Sequence, residues 1–202
     1  AEHTRAFIKV QDGCNQFCSY CIIPFVRGRI RSRSVEDTVR EVTDFAKRGY
    51  HEVVLTGIHL SSYGLDFDGM NYEYAMNREI PSTGLLRLIR AVASVPGIER
   101  VRLGSLEPRI ITENFVEALR QIPELCPHFH LSLQSGSDRI LKAMNRHYDT
   151  AAFREAVRLL RASWDEVAVT TDVIVGFPGE SEEDFDDSCR FIEEIGFYEL
   201  HV

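Results

Sequence analysis

The sequence predicts an α/β fold, an open TIM-like βα barrel of about six parallel strands. Short β-branched runs alternate with amphipathic stretches, which is the pattern of βα units around a parallel sheet. The length, 202 residues, falls short of the ~250 that a full eight-fold barrel takes, so a partial barrel fits better.

Strand-like runs fall at Phe7–Val10, Glu52–Thr56, Arg100–Leu103, His130–Leu133, Val167–Val175 and Glu199–Val202. The helices between them carry readable starts. Ser34 to Asp37 reads as a capping box, with Val35, Val39, Val42 and Ala46 on one face and Gly49 as the stop. Thr83 opens a helix that turns Leu85, Leu88, Ile89 and Val92 inward and ends near Pro96-Gly97. Thr112 opens another with Phe115, Val116 and Leu119 on its apolar face. Ser137 and Thr150 read as caps of two more, the second burying Phe153, Val157 and Leu160. A second capping box, Ser181 to Asp184, precedes Phe185, Cys189 and Ile192, and Gly196 closes that helix. The stretch Leu65–Ser82 is polar, aromatic and aperiodic; it reads equally as a functional loop or a tolerated surface insertion.

Hydrophobic residues at 44% and charged residues at 27% describe an ordinary globular composition. A net charge of −8 argues against wholesale electrostatic binding of nucleic acid but leaves room for a local basic stripe. No apolar run approaches the ~18 residues of a membrane helix, and the first residues lack a signal-peptide pattern; a cytoplasmic protein with no membrane partner is expected. The last strand-like run has nothing after it to cover its edge. Residues 1–202 therefore read as a core domain taken from a longer protein.

Five cysteines, an odd number, argue against a purely disulfide framework. Cys14, Cys18 and Cys21 form C-x3-C-x2-C directly after the first strand. Three thiolates on one tight loop suit three corners of a four-iron, four-sulfur cluster, with one iron left open. Structural zinc is the rival, with His51 or His59 as a fourth ligand. Cys126 and Cys189 read as small buried hydrophobes. Without further evidence the loop fits either a catalytic centre or a non-catalytic iron–sulfur or zinc redox protein.

Further segments follow the strand-like runs in order. They are VVLTGIHLSSYG with Thr56 and Gly57, LGSLEP with Ser105 and Glu107, LSLQSGSDRILKAMNRHY with Gln134 and Arg146, and TTDVIVGFPGE with Val175, Gly176 and Pro178. Together with the cysteine loop they resemble the radical S-adenosylmethionine superfamily, and their wording is similar to its methylthiotransferases over essentially the whole chain. LTGIHLSSYG and SLEP look most like the branch acting on threonylcarbamoyladenosine in transfer RNA. The isopentenyl-adenosine branch more often carries Gln-Asn where this chain has Ile58-His59. A ribosomal-protein aspartate is a third substrate within the family.

The resemblance implies a 4Fe-4S cluster on Cys14, Cys18 and Cys21 and S-adenosylmethionine on the open iron. Tyr20 and Val173–Pro178 would lie near the adenine, Thr56-Gly57 would meet the methionyl amino group, and Glu107 would approach the ribose. Arg146 would pair with the methionyl carboxylate. It implies an electron donor such as flavodoxin or ferredoxin, and transfer RNA as partner. It also implies an N-terminal domain with a second cluster and a C-terminal TRAM-like RNA-binding domain, neither within these residues. The first half of the reaction, cleavage to a 5′-deoxyadenosyl radical, belongs to the cysteine loop; delivery of the methylthio group needs the second cluster. Arg27, Arg29, Arg31 and Arg33 read either as an exposed polar segment or as a contact to substrate phosphate or the methionyl carboxylate.

Overall fold

The computed structural model describes residues 4–67 and 80–202. Most of the Leu65–Ser82 stretch lies outside the described residues. Among the described residues seven strands and seven α-helices follow in chain order: β1 (Ala6–Asp12), α1 (Ile23–Val26), β2 (Arg31–Ser32), α2 (Val35–Lys47), β3 (Glu52–Gly57), α3 (Thr83–Ala93), β4 (Arg100–Leu103), α4 (Glu113–Arg120), β5 (His128–His130), α5 (Asp138–Ala143), α6 (Thr150–Ser163), β6 (Ala168–Asp172), α7 (Glu182–Ile195) and β7 (Glu199–His201).

One sheet runs β2-β1-β3-β4 and a second runs β5-β6-β7. Apart from the short antiparallel β2, every pairing is parallel. Single bridges, Val101 to Leu125 and Leu106 to Leu131, join β4 to the chain around β5. Six parallel strands thus follow one another in an open arc, the partial barrel expected. Among the described residues β7 does not pair back to β1.

The predicted strands overlap the observed ones, with two displaced or shortened and two short elements unforeseen. β5 spans His128–His130 and shares only His130 with the predicted run to Leu133; beyond it the chain keeps isolated links, Leu106 N–H to His130 O and Ser132 N–H to Leu106 O on one side and Leu131 N–H to Thr170 O on the other. β6 is likewise shorter than Val167–Val175; only the Gln134–Val173 bridge continues it. β2 and α1, two and four residues long, were not legible as elements.

The inward faces of α3, α4 and α6 are those the periodicity indicated, with Leu85, Leu88, Ile89, Val92, Phe115, Val116, Leu119, Phe153, Val157 and Leu160 all buried. Caps at Ser34, Thr112 and Ser137 accept the expected backbone N–H groups. Asp149, not Thr150, caps α6, since its Oδ1 accepts from Ala152 N–H at 2.8 Å. The Ser181–Asp184 box is reciprocal, and Gly196 closes α7 in the left-handed conformation.

α7 corrects the reading of its own apolar face. Phe185 is 41% exposed, and Cys189 and Ile192 are only half-buried. The buried row is Asp184, Ser188, Phe191 and Ile195, about one residue around the helix. The cause is a polar seam under α7. Ser188 Oγ takes Gly136 N–H at 3.0 Å and meets Ser135 Oγ at 3.1 Å, while Ser137 Oγ donates to Asp184 Oδ1 at 2.8 Å. Close approach needs Gly136: a Cβ there would stand 2.6 Å from Ser188 Cα. Polar pairing and backbone contact outweighed the apolar count.

Phe191→Ala is therefore expected to cost about 3 kcal/mol, and Phe185→Ala under about 1 kcal/mol. Urea unfolding of both variants checks this; equal losses would restore the sequence-based face.

Candidate active site

The first βα connection is the cysteine loop, and it is fixed from two sides. On one, Cys14 N–H donates to Gly28 O at 3.1 Å and Ile30 N–H to Asn15 Oδ1 at 3.3 Å. Gly13 makes this approach possible with φ +70°; a Cβ would fall 1.9 Å from Arg29 O. On the other, Ser19 N–H donates to Met144 O at 3.0 Å, and Asn145 Nδ2 to Phe17 O at 2.9 Å. Cys14 is buried, and desolvation pushes its thiol up to about 11. Cys18 and Cys21 are half-buried, and none of the three forms a disulfide.

All three thiols border a cleft of about 290 Å³ at the carboxyl ends of the strands. Its walls include Gln16, Tyr20, Ile58, His59, Ser105, Glu107, Ser132, Gln134 and Arg146. Two buried charge groups build those walls. Glu107, 2% exposed, ion-pairs through Oε1 with Arg109 and takes His59 Nε2 on Oε2 at 2.7 Å. Burial alone would raise this carboxyl; His59 and Arg109 outweigh it and hold it well below the usual carboxylate range. Arg109 Nη2 continues to Gln16 Oε1 at 3.2 Å, so the chain of charges ends on the cysteine loop itself. In the second group, Arg146 lies 3.1 Å through Nη1 from Cys18 Sγ and donates through Nε to Tyr148 Oη at 2.9 Å. Burial opposes its charge, but Tyr148, Cys18 and Glu107 raise it above its ordinary value.

The sequence-predicted residues divide by place. Cys14, Cys18, Cys21, Tyr20, Ser105, Glu107, Gln134 and Arg146 all border the cleft. Thr56 and Gly57 end β3 but engage β1 instead. Thr56 Oγ1 reaches Ile8 O at 3.3 Å, and a Cβ on Gly57 would stand 2.9 Å from the Gln11 side chain. Val175, Gly176 and Pro178 are exposed outside the cleft walls, linked to it through Phe177, whose ring meets Tyr20 edge-on at 6.3 Å. Glu107 stands at the cleft with both carboxylate oxygens engaged.

The arginines separate too. Arg33 pairs with Glu41, Arg27 and Arg31 lie 3.6 and 3.8 Å from Asp12, and Arg29 stacks on Phe17 at 4.8 Å. His51 contacts Gly97 O and Glu99 away from the cleft, and the ring nitrogens of His59 meet Glu107 and Ser62. Neither histidine is placed as a fourth zinc ligand. Cys126 is buried as expected; Cys189 is not fully so.

Gln16 and Arg109 were missed, and His59 was read as a possible zinc ligand rather than as a partner of Glu107. Each is a single polar residue with no periodic partner; Arg109 lies two residues from Glu107, and the fold brings His59 and Gln16 to that pair. Gln16 is 3% exposed, and its Nε2 is a buried donor without an acceptor in the cleft wall. Such an orphan donor marks a place for a ligand atom. Among the described residues no three His, Cys, Asp or Glu side chains converge as one metal ion would require. A four-iron cube takes one thiolate at each of three irons and needs no such common point. The donor set and the open cleft fit that group.

Comparison with known proteins agrees with this chemistry. The profile described as "Radical SAM superfamily" matches residues 8–192. The chain is 48% identical over 198 residues to a threonylcarbamoyladenosine tRNA methylthiotransferase, MtaB, of Chlamydia pneumoniae, covering 98% of this chain and 44% of that protein. It is 42% identical over 194 residues to a tRNA-2-methylthio-N(6)-dimethylallyladenosine synthase of Clostridium tetani, covering 96% and 40%. The chain thus spans less than half the length of these curated relatives. Among solved structures, the radical S-adenosylmethionine methyltransferase TsrM of Kitasatospora setae, with cobalamin and a [4Fe-4S] cluster bound, superposes with TM-score 0.73 at 18% identity, covering 96% of this chain and 35% of that one. Coproporphyrinogen III oxidase (HemN) of Escherichia coli gives 0.61 at 13% identity, covering 100% and 45%.

Glu107→Gln removes the buried carboxylate that Arg109 and His59 share and should cost about 3 kcal/mol at neutral pH. The folded carboxyl is depressed, so its contribution is complete above the unfolded value of ~4.3 and is lost as pH falls. The stability gap between the parent chain and the variant should hold above about pH 5, begin to narrow below it and go on narrowing through pH 3 and lower. A gap independent of pH in denaturant titrations would show that Glu107 is not ionised in the fold.

Proposed function

This chain belongs to the radical SAM superfamily and its methylthiotransferases, and from that premise we propose that it is the catalytic core of a cytoplasmic enzyme adding a methylthio group to carbon 2 of threonylcarbamoyladenosine in transfer RNA. The observation that carries the reading is one cleft bordered by three disulfide-free thiols, a buried orphan amide donor and strand-end residues. Cys14, Cys18 and Cys21 would hold three irons of a 4Fe-4S cluster. When bound, the cluster supplies the electron that splits S-adenosylmethionine and so starts hydrogen abstraction from the substrate.

The chain's own residues do the placing. Gln16 Nε2 offers a donor to a ligand oxygen or nitrogen inside the cleft. Arg146, charged and against Cys18, offsets negative charge gathered by the thiolates and offers a cation to a carboxylate. Tyr20, braced by Phe177, closes one wall against water. Tight anchoring of the loop between Gly28 and Met144 keeps the thiols in place while the ligands exchange.

The choice of base rests on the relative that acts, by its name, on threonylcarbamoyladenosine, and on Ile58-His59 in the cleft wall. The dimethylallyladenosine synthase at 42% identity supports the alternative base. A flavodoxin or ferredoxin would supply the electron. Sulfur delivery would fall to segments that the longer relatives carry, so this chain alone should cleave S-adenosylmethionine and go no further.

Anaerobic reconstitution with iron and sulfide should load about four irons per chain, with an electron paramagnetic resonance spectrum that changes on adding S-adenosylmethionine. Cys14→Ala should lose the iron and still unfold cooperatively. Zinc uptake with a silent spectrum would remove the radical reading. Nucleoside digests of transfer RNA from cells with and without the gene decide the base: loss of the methylthio form of threonylcarbamoyladenosine is expected, whereas loss of the dimethylallyl form would reassign it.

A further inference from the structure

The cysteine loop carries an outward-facing stack that the cleft does not use. The Arg29 guanidinium lies over the Phe17 ring at 4.8 Å, and Phe25 meets Phe17 edge-on at 5.7 Å. Phe25 is 72% exposed and Val26 beside it 66%. Exposed aromatic surface beside a reactive loop is costly in water and calls for an occupant.

Charge says which occupant. Residues 13–35 contain four arginines and no acidic residue, in a chain whose net charge is −8. Asp12, at their edge, is shared by Lys9, Arg27 and Arg31, so one carboxylate faces three cations. The Arg27 and Arg31 side chains remain 49% and 59% exposed. A ring face open to stacking, flanked by guanidiniums spaced along one loop, is the arrangement that holds unpaired nucleotides: bases stack on the ring and phosphates meet the cations.

We propose that Phe25, backed by Phe17 and Arg29 and flanked by Arg27 and Arg31, is a stacking platform for an unpaired RNA base next to the nucleotide undergoing modification. The proposal rests on the transfer-RNA reading above and deepens it. The platform grows from the loop that bears the thiols, four residues past Cys21, so a base stacked there keeps its neighbour close to the cleft. Edge-on packing against Phe17 fixes the Phe25 ring before RNA arrives, which lowers the ordering cost of binding.

Binding of fluorescein-labelled single-stranded oligoadenylate, followed by anisotropy across a salt series, tests it. Single strands should bind tighter than a duplex of equal length. Phe25→Ala should weaken single-strand binding roughly ten-fold at every salt concentration, with an unchanged slope of log affinity against log salt. Phe25→Trp should restore it. Arg31→Ala should lower the magnitude of that slope by about 0.7. Thermal melts of each variant separate these losses from unfolding. Absence of binding, equal affinity for duplex, an unaffected Phe25→Ala variant, or displacement of the probe by polyglutamate as readily as by RNA would overturn the platform; the last would mark a surface for an acidic protein. Iron loading and nucleoside digests are separate readouts, so the methylthiotransferase reading survives or fails independently.

Discussion

Everything at the cleft depends on keeping one carboxylate charged inside the protein. Glu107 is almost without solvent, and an ion so placed needs its full set of partners. Those partners come from separate strand ends. His59 follows β3, Arg109 follows β4, and the backbone N–H of Glu107 itself donates to Ser61 Oγ at 2.8 Å. Gln11 Oε1 then accepts from His59 N–H, and Gln16 Oε1 accepts from Arg109. One buried charge thus ties β1, β3, β4 and the cysteine loop into a single arrangement.

Arg146 does the same for another part of the wall. Its guanidinium bridges Cys18 and Tyr148, and Tyr148 in turn donates to the carbonyl of Ser132, 2.5 Å away, past the end of β5. The two groups leave the thiols between cations that are themselves oriented, and a site with fixed dipoles and charges needs little reorganisation when ligands arrive. The same economy explains the polar seam under α7. Ser135, Ser137, Asp184 and Ser188 satisfy one another, so the helix can sit close over Gly136 without stranded polar atoms.

Much of the fold was legible because it follows from local periodicity. Strand runs and the inward faces of α3, α4 and α6 repeat at the spacing of the element that carries them, and caps are chemistry within four residues. The cysteine loop was legible for the same reason: C-x3-C-x2-C is a local statement about donors. The α7 face was not, since its direction depends on serines some fifty residues earlier in the chain. The arginine run was read as one object, yet the fold divides it among Asp12, Glu41 and the Phe17 ring.

By itself the sequence determined the partial βα barrel, the three-thiol loop after its first strand and the kind of chemistry such a loop supports. These are properties of neighbours along the chain, where spacing alone decides which side chains share a face or a turn. Tertiary structure decided that Glu107 is bound rather than open, that Gly57 makes room for β1, and that the Gln16 amide is buried beside the cleft with its Nε2 left without an acceptor. It also decided that Phe25 stands out in water. Each of these depends on which distant groups share the dry space with a polar or aromatic side chain, and burial of a charge is settled only when all its partners have arrived.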